Sequence, residues 1–98
     1  MTDMDSMSVI TMKDIEFISA KNCLSCNKMR DILRETLVKT GVYATIHEID
    51  SETSEAIEVA IEEGIEDIPA CVIGDEVFYG KNGFTYDGIL NAMKKLGE

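Results

Sequence analysis

Basic residues and long apolar runs are scarce in this sequence. Its 98 residues include nine Lys and Arg against nineteen Asp and Glu, which gives a formal net charge of −10. Nucleic acids and anionic membrane surfaces both require a basic face on their partner, so neither is expected to bind. No window approaches the roughly 20 apolar residues of a membrane-spanning helix, so no such helix is predicted.

Cysteine and histidine are scarce too. Three cysteines, an odd number, do not suggest the disulfide framework of a secreted domain; they fit a reducing cytosol, with one functional pair and one spare thiol. The first twelve residues contain no basic residue and are not expected to form a signal peptide. His47, the single histidine, has no cysteine or carboxylate at a metal-ligating spacing and is assigned no catalytic role. The odd number of cysteines and the signal peptide that is not expected together predict a cytoplasmic location.

The residues that are present suffice for one small domain. An apolar content of 45% can build a single core. Residues 1–12 are polar and Met-rich, with only a hint of a strand at 8–11, so a flexible N-terminal extension is predicted there. Residues 13–98 are predicted to form the domain itself.

The segment Cys23-Leu24-Ser25-Cys26 carries the chemistry. At the first turn of a helix, residues three apart bring their Cα atoms to about the 5.5 Å that a disulfide needs. The unsatisfied N–H groups at a helix start also favour a thiolate. The spacing alone is compatible with soft-metal binding as well as redox chemistry.

Apolar spacing divides the chain into alternating strands and helices. Strand-like runs alternate with helical periodicity, and a Gly-Asp turn separates the last two strands. The predicted strands are 13–20, 42–49, 70–73 and 76–79, and the predicted helices are 26–40, 51–63 and 85–96. For the second helix the pattern predicts Ser51 or Ser54 as the cap, and an apolar face of Ile57, Ala60 and Ile61.

The resulting order, β-α-β-α-β-β-α, predicts the fold class. A right-handed βαβ unit makes the first two strands parallel, and the hairpin adds an antiparallel half. An α/β fold with a four-stranded mixed sheet flanked by three helices, and a C-x-x-C motif after the first strand, is the thioredoxin fold. Copper-carrier domains with C-x-x-C follow a different order, β-α-β-β-α-β.

The surroundings of the motif suggest roles for its two cysteines. Cys23, at the exposed edge before the helix, is expected to attack, and Cys26, one turn in, is expected to be the resolving thiol. Lowering a cysteine pKa from about 8.5 to about 7 makes roughly half of it thiolate at neutral pH. Residues 21–40 carry five basic and two acidic side chains, and Lys21 and Lys28 are the candidates for stabilising the thiolate.

Two further features lie downstream of the motif. Pro69 opens the third strand, where a proline breaks no ladder hydrogen bond, and Ile68–Pro69 is also a candidate for a cis peptide bond beside the disulfide. Cys71, in the middle of the same strand, is predicted to be a buried apolar filler.

The segments Asn22-Cys-Leu-Ser-Cys-Asn-Lys-Met, Asp67-Ile-Pro-Ala and Gly83-Phe-Thr resemble those of small glutaredoxin-like redoxins. The similarity covers residues 14–96 and is greatest to the NrdH-redoxin type, with small archaeal and bacterial thioredoxin-like disulfide proteins as neighbours. The resemblance implies a cis bond at Pro69, Cys23 as nucleophile and Cys26 as resolving cysteine. It also implies that Ile68, Pro69, Gly83 and Phe84 contact the substrate.

The sequence departs from these families in several places. Leu24 and Ser25 stand where glutaredoxins usually have proline and an aromatic residue, and Gly80 and Gly83 are spaced rather than paired, which argues against glutathione-dependent activity. Gly83-Phe84 instead resembles redoxins that thioredoxin reductase reduces. The chain has no tryptophan, and Phe17 occupies the place of the buried acid of ordinary thioredoxins.

The favoured function is a monomeric protein dithiol–disulfide oxidoreductase with no cofactor beyond its own disulfide. A thioredoxin reductase-like enzyme would supply electrons, and protein disulfides, including that of ribonucleotide reductase, would receive them. Two alternatives stay open. One is a soft-metal or iron–sulfur module that uses the same cysteines. The other is a non-redox binding module that uses the segment 48–67, which has nine acidic and no basic residues.

Overall fold

A computed structural model describes residues 13–98 of the chain. The predicted N-terminal extension, residues 1–12, and the strand hinted at within it lie outside the described residues. Residues 13–98 form seven elements in the predicted order. They are β1 (Lys13–Ser19), α1 (Leu24–Thr40), β2 (Ala44–Asp50), α2 (Ser54–Glu63), β3 (Ala70–Ile73), β4 (Glu76–Tyr79) and α3 (Tyr86–Leu96).

The four strands form one mixed sheet in the order β2-β1-β3-β4. β1 pairs in parallel with β2, and antiparallel pairing joins β1 to β3 and β3 to β4. This arrangement confirms the predicted α/β thioredoxin fold. Because β1 is central, its C-terminal end, where the cysteine motif begins, lies between β2 and the start of β3.

Alternation along the strands divides the core between the two faces of the sheet. Ile15 and Phe17 pack with α1 and α3, whereas Ile18 packs with α2. Cys26 belongs to the first of these clusters. The redox motif is therefore anchored on the face that carries two helices.

Helix α1 follows its sequence prediction closely. Met29, Ile32 and Leu33 are buried against the sheet, as their three- and four-residue spacing predicts. Gly41 ends the helix in the left-handed conformation, with φ +69°, and its N–H bonds to the Leu37 carbonyl. This end lies far from the cysteines, which are at the start of the same helix.

Helix α2 corrects two predictions. Its cap is Thr53, whose hydroxyl accepts a hydrogen bond from the Ala56 N–H, and not Ser51 or Ser54. Ala56 and Val59 are the buried residues, whereas Ile57 is 56% exposed and Ile61 is 76% exposed. The small Ala56 side chain lets the helix lie close to the sheet, and this orientation turns both isoleucines outward.

The C-terminal half matches the prediction. β3 and β4 form the expected hairpin, and Thr85 caps α3 by accepting a hydrogen bond from the Gly88 N–H at 3.0 Å. Ile89 and Met93 of α3 are buried in the cluster that contains Cys26. Within residues 13–98, no helix is long and apolar enough to cross a membrane.

Candidate redox site

Cys23 is the N-cap residue of α1. Its backbone is extended, and its sulfur accepts a hydrogen bond from the Cys26 N–H at 3.1 Å. The preceding residue, Asn22, has φ +54°, a left-handed conformation that asparagine tolerates better than most residues. This sharp turn carries the chain from β1 into α1 and leaves Cys23 at the helix N-terminus.

Cys23 and Cys26 form a disulfide, with their Cα atoms 5.2 Å apart. Cys26 is fully buried, whereas Cys23 is only partly buried. An incoming group therefore meets the sulfur of Cys23 first. This is the exposure that the sequence predicts for an attacking and a resolving thiol, although the two roles themselves stay predictions.

The two lysines that the sequence predicts as stabilising groups flank the motif. Lys21 is exposed and lies two residues before Cys23. Lys28 is exposed on α1, and its Nζ lies 6.0 Å from the centroid of the Phe84 ring. The first turn of α1 contains no acidic residue that would oppose a thiolate. Stabilisation of the thiolate by these lysines stays a prediction.

The Ile68–Pro69 peptide bond is cis, the isomer that the resemblance implies. Pro69 is buried, and its carbonyl accepts a hydrogen bond from the Gly80 N–H at 2.9 Å. Because the next residue, Ala70, pairs with Ile18 of β1, this bond lies beside the strand end that leads into the motif. Contact of Ile68 and Pro69 with a substrate stays a prediction.

Gly83 and Phe84 lie in the loop before α3. A Cβ atom on Gly83 would lie 1.8 Å from the Tyr79 carbonyl oxygen, so this position has no room for a side chain. Phe84 is only 8% exposed and packs in the cluster that contains Cys26. Both residues therefore have a packing role, and their predicted role in substrate binding stays untested.

The sequence marks Leu24 as a departure from glutaredoxins but does not predict a contact role for it. The structure shows it 86% exposed between the two cysteines. Its neighbour Ser25 places its hydroxyl 3.5 Å from the Cys23 sulfur. Since Cys26 faces the core, a residue two positions earlier on the helix must point outward. This helical geometry could have predicted that the Leu24 side chain is exposed on the surface beside the motif.

Sequence reasoning missed an ion pair next to the motif. Arg30 of α1 and Glu48 of β2 make a bidentate contact, and Glu48 also accepts a hydrogen bond from the Ser19 hydroxyl. The Arg30 hydrogen bonds hold the pKa of the Glu48 carboxyl below its ordinary value. Both residues line a polar cavity of about 380 Å³ that Lys21 and Asn22 also border. The two partners are 18 residues apart, so no local pattern reveals them.

Cys71 and His47 lie outside the redox motif. Cys71 is a buried free thiol, as predicted, and burial raises its pKa to about 12. His47 is exposed and its Nε2 lies 2.9 Å from the Glu55 carboxylate, a contact that raises the pKa of the imidazole. Within residues 13–98, no group of three or more His, Cys, Asp and Glu side chains is arranged to hold a metal ion.

The chain matches a known protein family. A family model, that of the thioredoxin domain, matches residues 13–83, which include the disulfide motif and the cis proline. Among curated proteins, none matches the sequence.

Solved structures share the fold at low sequence identity. An uncharacterised thioredoxin-like protein from Clostridium perfringens aligns with TM-score 0.70 and 18% identity, over 88% of this chain and 71% of that one. The glutaredoxin-like protein NrdH-redoxin from Escherichia coli aligns with TM-score 0.55 and 20% identity, over 80% and 92%. The oxidised thioredoxin from Plasmodium falciparum aligns with TM-score 0.58 and 18% identity, over 100% and 93%. These structures show the shared fold, and the thioredoxin-domain match together with the paired cysteines supports a thiol redox role.

Proposed function

We propose that this chain, which belongs to the thioredoxin domain family, is a dithiol–disulfide oxidoreductase that reduces disulfide bonds in protein clients. The observation that carries the proposal is the unequal exposure of the disulfide: Cys23 is accessible at the start of α1 and Cys26 is buried beneath it. An accessible sulfur can receive a client, while a buried one is kept from solvent oxidants and reserved for the second step.

The reaction transfers two electrons from the reduced chain to the client. The Cys23 thiolate attacks one sulfur of the client disulfide, and the other client sulfur leaves as a thiolate that takes up a proton. The resulting mixed disulfide is resolved by Cys26, which loses its proton and attacks the Cys23 sulfur. The second client sulfur then leaves as a thiolate and is protonated. The client ends as a dithiol, and the Cys23–Cys26 disulfide is restored.

Local structure supports the first step in particular. The Cys26 N–H donates a hydrogen bond to the Cys23 sulfur, with 3.1 Å between nitrogen and sulfur. At a helix N-terminus such a donor can stabilise the Cys23 thiolate. Lys21 and Lys28 add positive charge on either side of the motif. Leu24 offers an exposed apolar contact to the client, and we include Ile68, Pro69, Gly83 and Phe84 as the client-binding strip.

The proposal extends to the electron supply and the clients. We assign the regeneration of the dithiol to a thioredoxin reductase-like enzyme rather than to glutathione. Leu24 and Ser25 support this assignment, and so does the similarity to NrdH-redoxin, a glutaredoxin-like protein with a thioredoxin-like activity profile. Ribonucleotide reductase is among the proposed clients. The chain would act as a cytoplasmic monomer, with its disulfide as the only redox group that the proposal requires.

Reduction of insulin by dithiothreitol with catalytic amounts of the chain tests this proposal. We expect Cys23→Ser to abolish the catalysed rate, and Cys26→Ser to accumulate a mixed disulfide between Cys23 and insulin that mass spectrometry detects. Cys71→Ala is the matched control, because Cys71 is buried outside the motif, and it should keep the wild-type rate. Full activity in Cys23→Ser would contradict the mechanism.

A further inference from the structure

An ion pair between α1 and β2 is hydrogen-bonded to one residue before the disulfide motif, Ser19, and to one directly after it, Asn27. The Arg30 Nε donates to one Glu48 oxygen at 3.0 Å, and a second guanidinium nitrogen donates to the other oxygen. The third nitrogen donates to Asn27 Oδ1 at 2.6 Å, and the Ser19 hydroxyl donates to Glu48 at 2.7 Å. The planar guanidinium thus links the first turns of α1 to the ends of β1 and β2.

Arg30 lies one helical turn after Cys26, and its side chain is partly shielded from water. Arg30 follows Cys26 by four residues, so the two side chains lie on the same face of α1, one turn apart. The guanidinium carbon lies 5.4 Å from the centroid of the Phe17 ring, and the Arg30 side chain is 22% exposed. A charge at this depth is screened less than one in bulk water. An unpaired guanidinium here would therefore favour a nearby thiolate.

We propose that Glu48 neutralises the Arg30 charge beside the dithiol and thereby sets the fraction of the motif that is thiolate at neutral pH. This inference deepens the proposed function and rests on it. Glu48 and Arg30 act as positioning and tuning residues, since neither touches the client sulfur in the reaction. Without Glu48, the free guanidinium stabilises the thiolate; without Arg30, the free carboxylate opposes it.

Other ionisable side chains contribute a background that the test holds constant. Lys21 and Lys28 flank the motif, Asp50 ends β2, and Asp67 is next to the Ile68–Pro69 bond. On α1, Asp31 acts on Arg30 and Arg34 acts on Glu48. All of these are unchanged in the variants of the pair below, and Arg34 is changed only in a separate control. Differences between the variants therefore report on the Arg30–Glu48 pair.

The test measures the pKa of the reactive thiol in four variants of the reduced full-length chain. Thiolate absorbance near 240 nm and the pH dependence of alkylation by iodoacetamide give this pKa independently. For one charge about 6–8 Å away and an effective dielectric constant of about 20–40, Coulomb's law gives a change in the acid dissociation constant of about sixfold to a hundredfold. Glu48→Gln should increase this constant, and Arg30→Gln should decrease it by a similar factor.

Two further variants separate charge from damage to the fold. The double variant Arg30→Gln/Glu48→Gln should return to within about twofold of the wild-type constant, because both charges are gone. Arg34→Gln removes the same charge one turn farther along α1 and should have a smaller effect. Circular dichroism checks that each variant is folded.

The signs of the shifts decide the outcome. A merely structural role would loosen the motif in both single variants and shift the pKa in one direction. Shifts in the same direction, or shifts below about twofold in both folded variants, would overturn the inference. In that case, normal insulin reduction by the wild type would leave the proposed function intact, whereas activity in Cys23→Ser would remove the function itself.

Discussion

Replacing Gly83 with alanine is expected to destabilise the structure that supports the redox motif. The added Cβ would lie 1.8 Å from the carbonyl oxygen of Tyr79 and 2.9 Å from its carbon. Tyr79 ends β4 and is paired with Ala70 of β3, so its backbone cannot turn away. The loop that carries Gly83 must move instead, and Phe84 moves with it out of the cluster that contains Cys26.

The structure gives a rough magnitude for this change. Overpacking of a tight site costs about 1–3 kcal/mol, and partial exposure of a buried phenylalanine costs about 1–2 kcal/mol more. We expect a loss of about 2–5 kcal/mol in the free energy of unfolding. In a chain of this size such a loss lowers Tm by roughly 8–40 °C.

Urea unfolding followed by far-UV circular dichroism measures this loss. Gly41→Ala is the matched control, because Gly41 has φ +69° and no atom within 4 Å of an added Cβ. It should cost only about 1 kcal/mol, from the left-handed backbone conformation. A Gly83→Ala chain that unfolds at the wild-type urea midpoint would refute the packing argument and would favour a purely client-binding role for Gly83.

Three further predictions concern groups outside the motif. The Glu55 carboxylate raises the pKa of His47 above 6.5, so Glu55→Gln should lower the His47 pKa in an NMR titration, and identical titrations of the variant and the wild type would contradict this. The stabilisation from this contact should be present below pH 6.5 and lost as pH rises through the folded pKa of His47. Val59→Ala should cost about 1–2 kcal/mol and Ile61→Ala less than about 0.5 kcal/mol in urea unfolding, and equal losses would refute the observed orientation of α2. Because burial raises the pKa of Cys71 to about 12, iodoacetamide at pH 8 should leave Cys71 unmodified in the native reduced chain and modify it only after denaturation, as peptide mapping by mass spectrometry shows.

Helices α1 and α3 show what periodicity predicts well. Met29, Ile32 and Leu33 of α1 share one face and are buried as their spacing predicts. Ile89 and Met93 of α3 are likewise buried on one face. Helix α2 shows where the approach fails, because Ile57 and Ile61 are more hydrophobic than Ala56, yet Ala56 is the residue that is buried. Helix α2 lies close to the sheet, and a small residue fits best at such a contact. The hydrophobicity of a residue does not show how far the helix lies from the sheet.

Some features of the redox site could likewise be predicted from the sequence, and others could not. The cysteine pair is local, so its spacing and its place at a helix start could be predicted from the sequence. The Arg30–Glu48 contact depends on how β2 lies against α1, and the space around Gly83 depends on the path of a loop past Tyr79. Both are tertiary relations between residues that no short motif joins, and they became visible only with the fold.

The reduction potential of the Cys23–Cys26 couple tests the central claim most directly. The chain would be equilibrated with mixtures of oxidised and reduced dithiothreitol, and the remaining thiols would be alkylated and counted by mass spectrometry. A chain that reduces client disulfides should show one two-electron transition near the roughly −270 mV of thioredoxin. A value near the roughly −120 mV of a strong oxidant such as DsbA would contradict the proposed direction of electron flow. Failure of the two cysteines to form a reversible disulfide would contradict the redox centre itself.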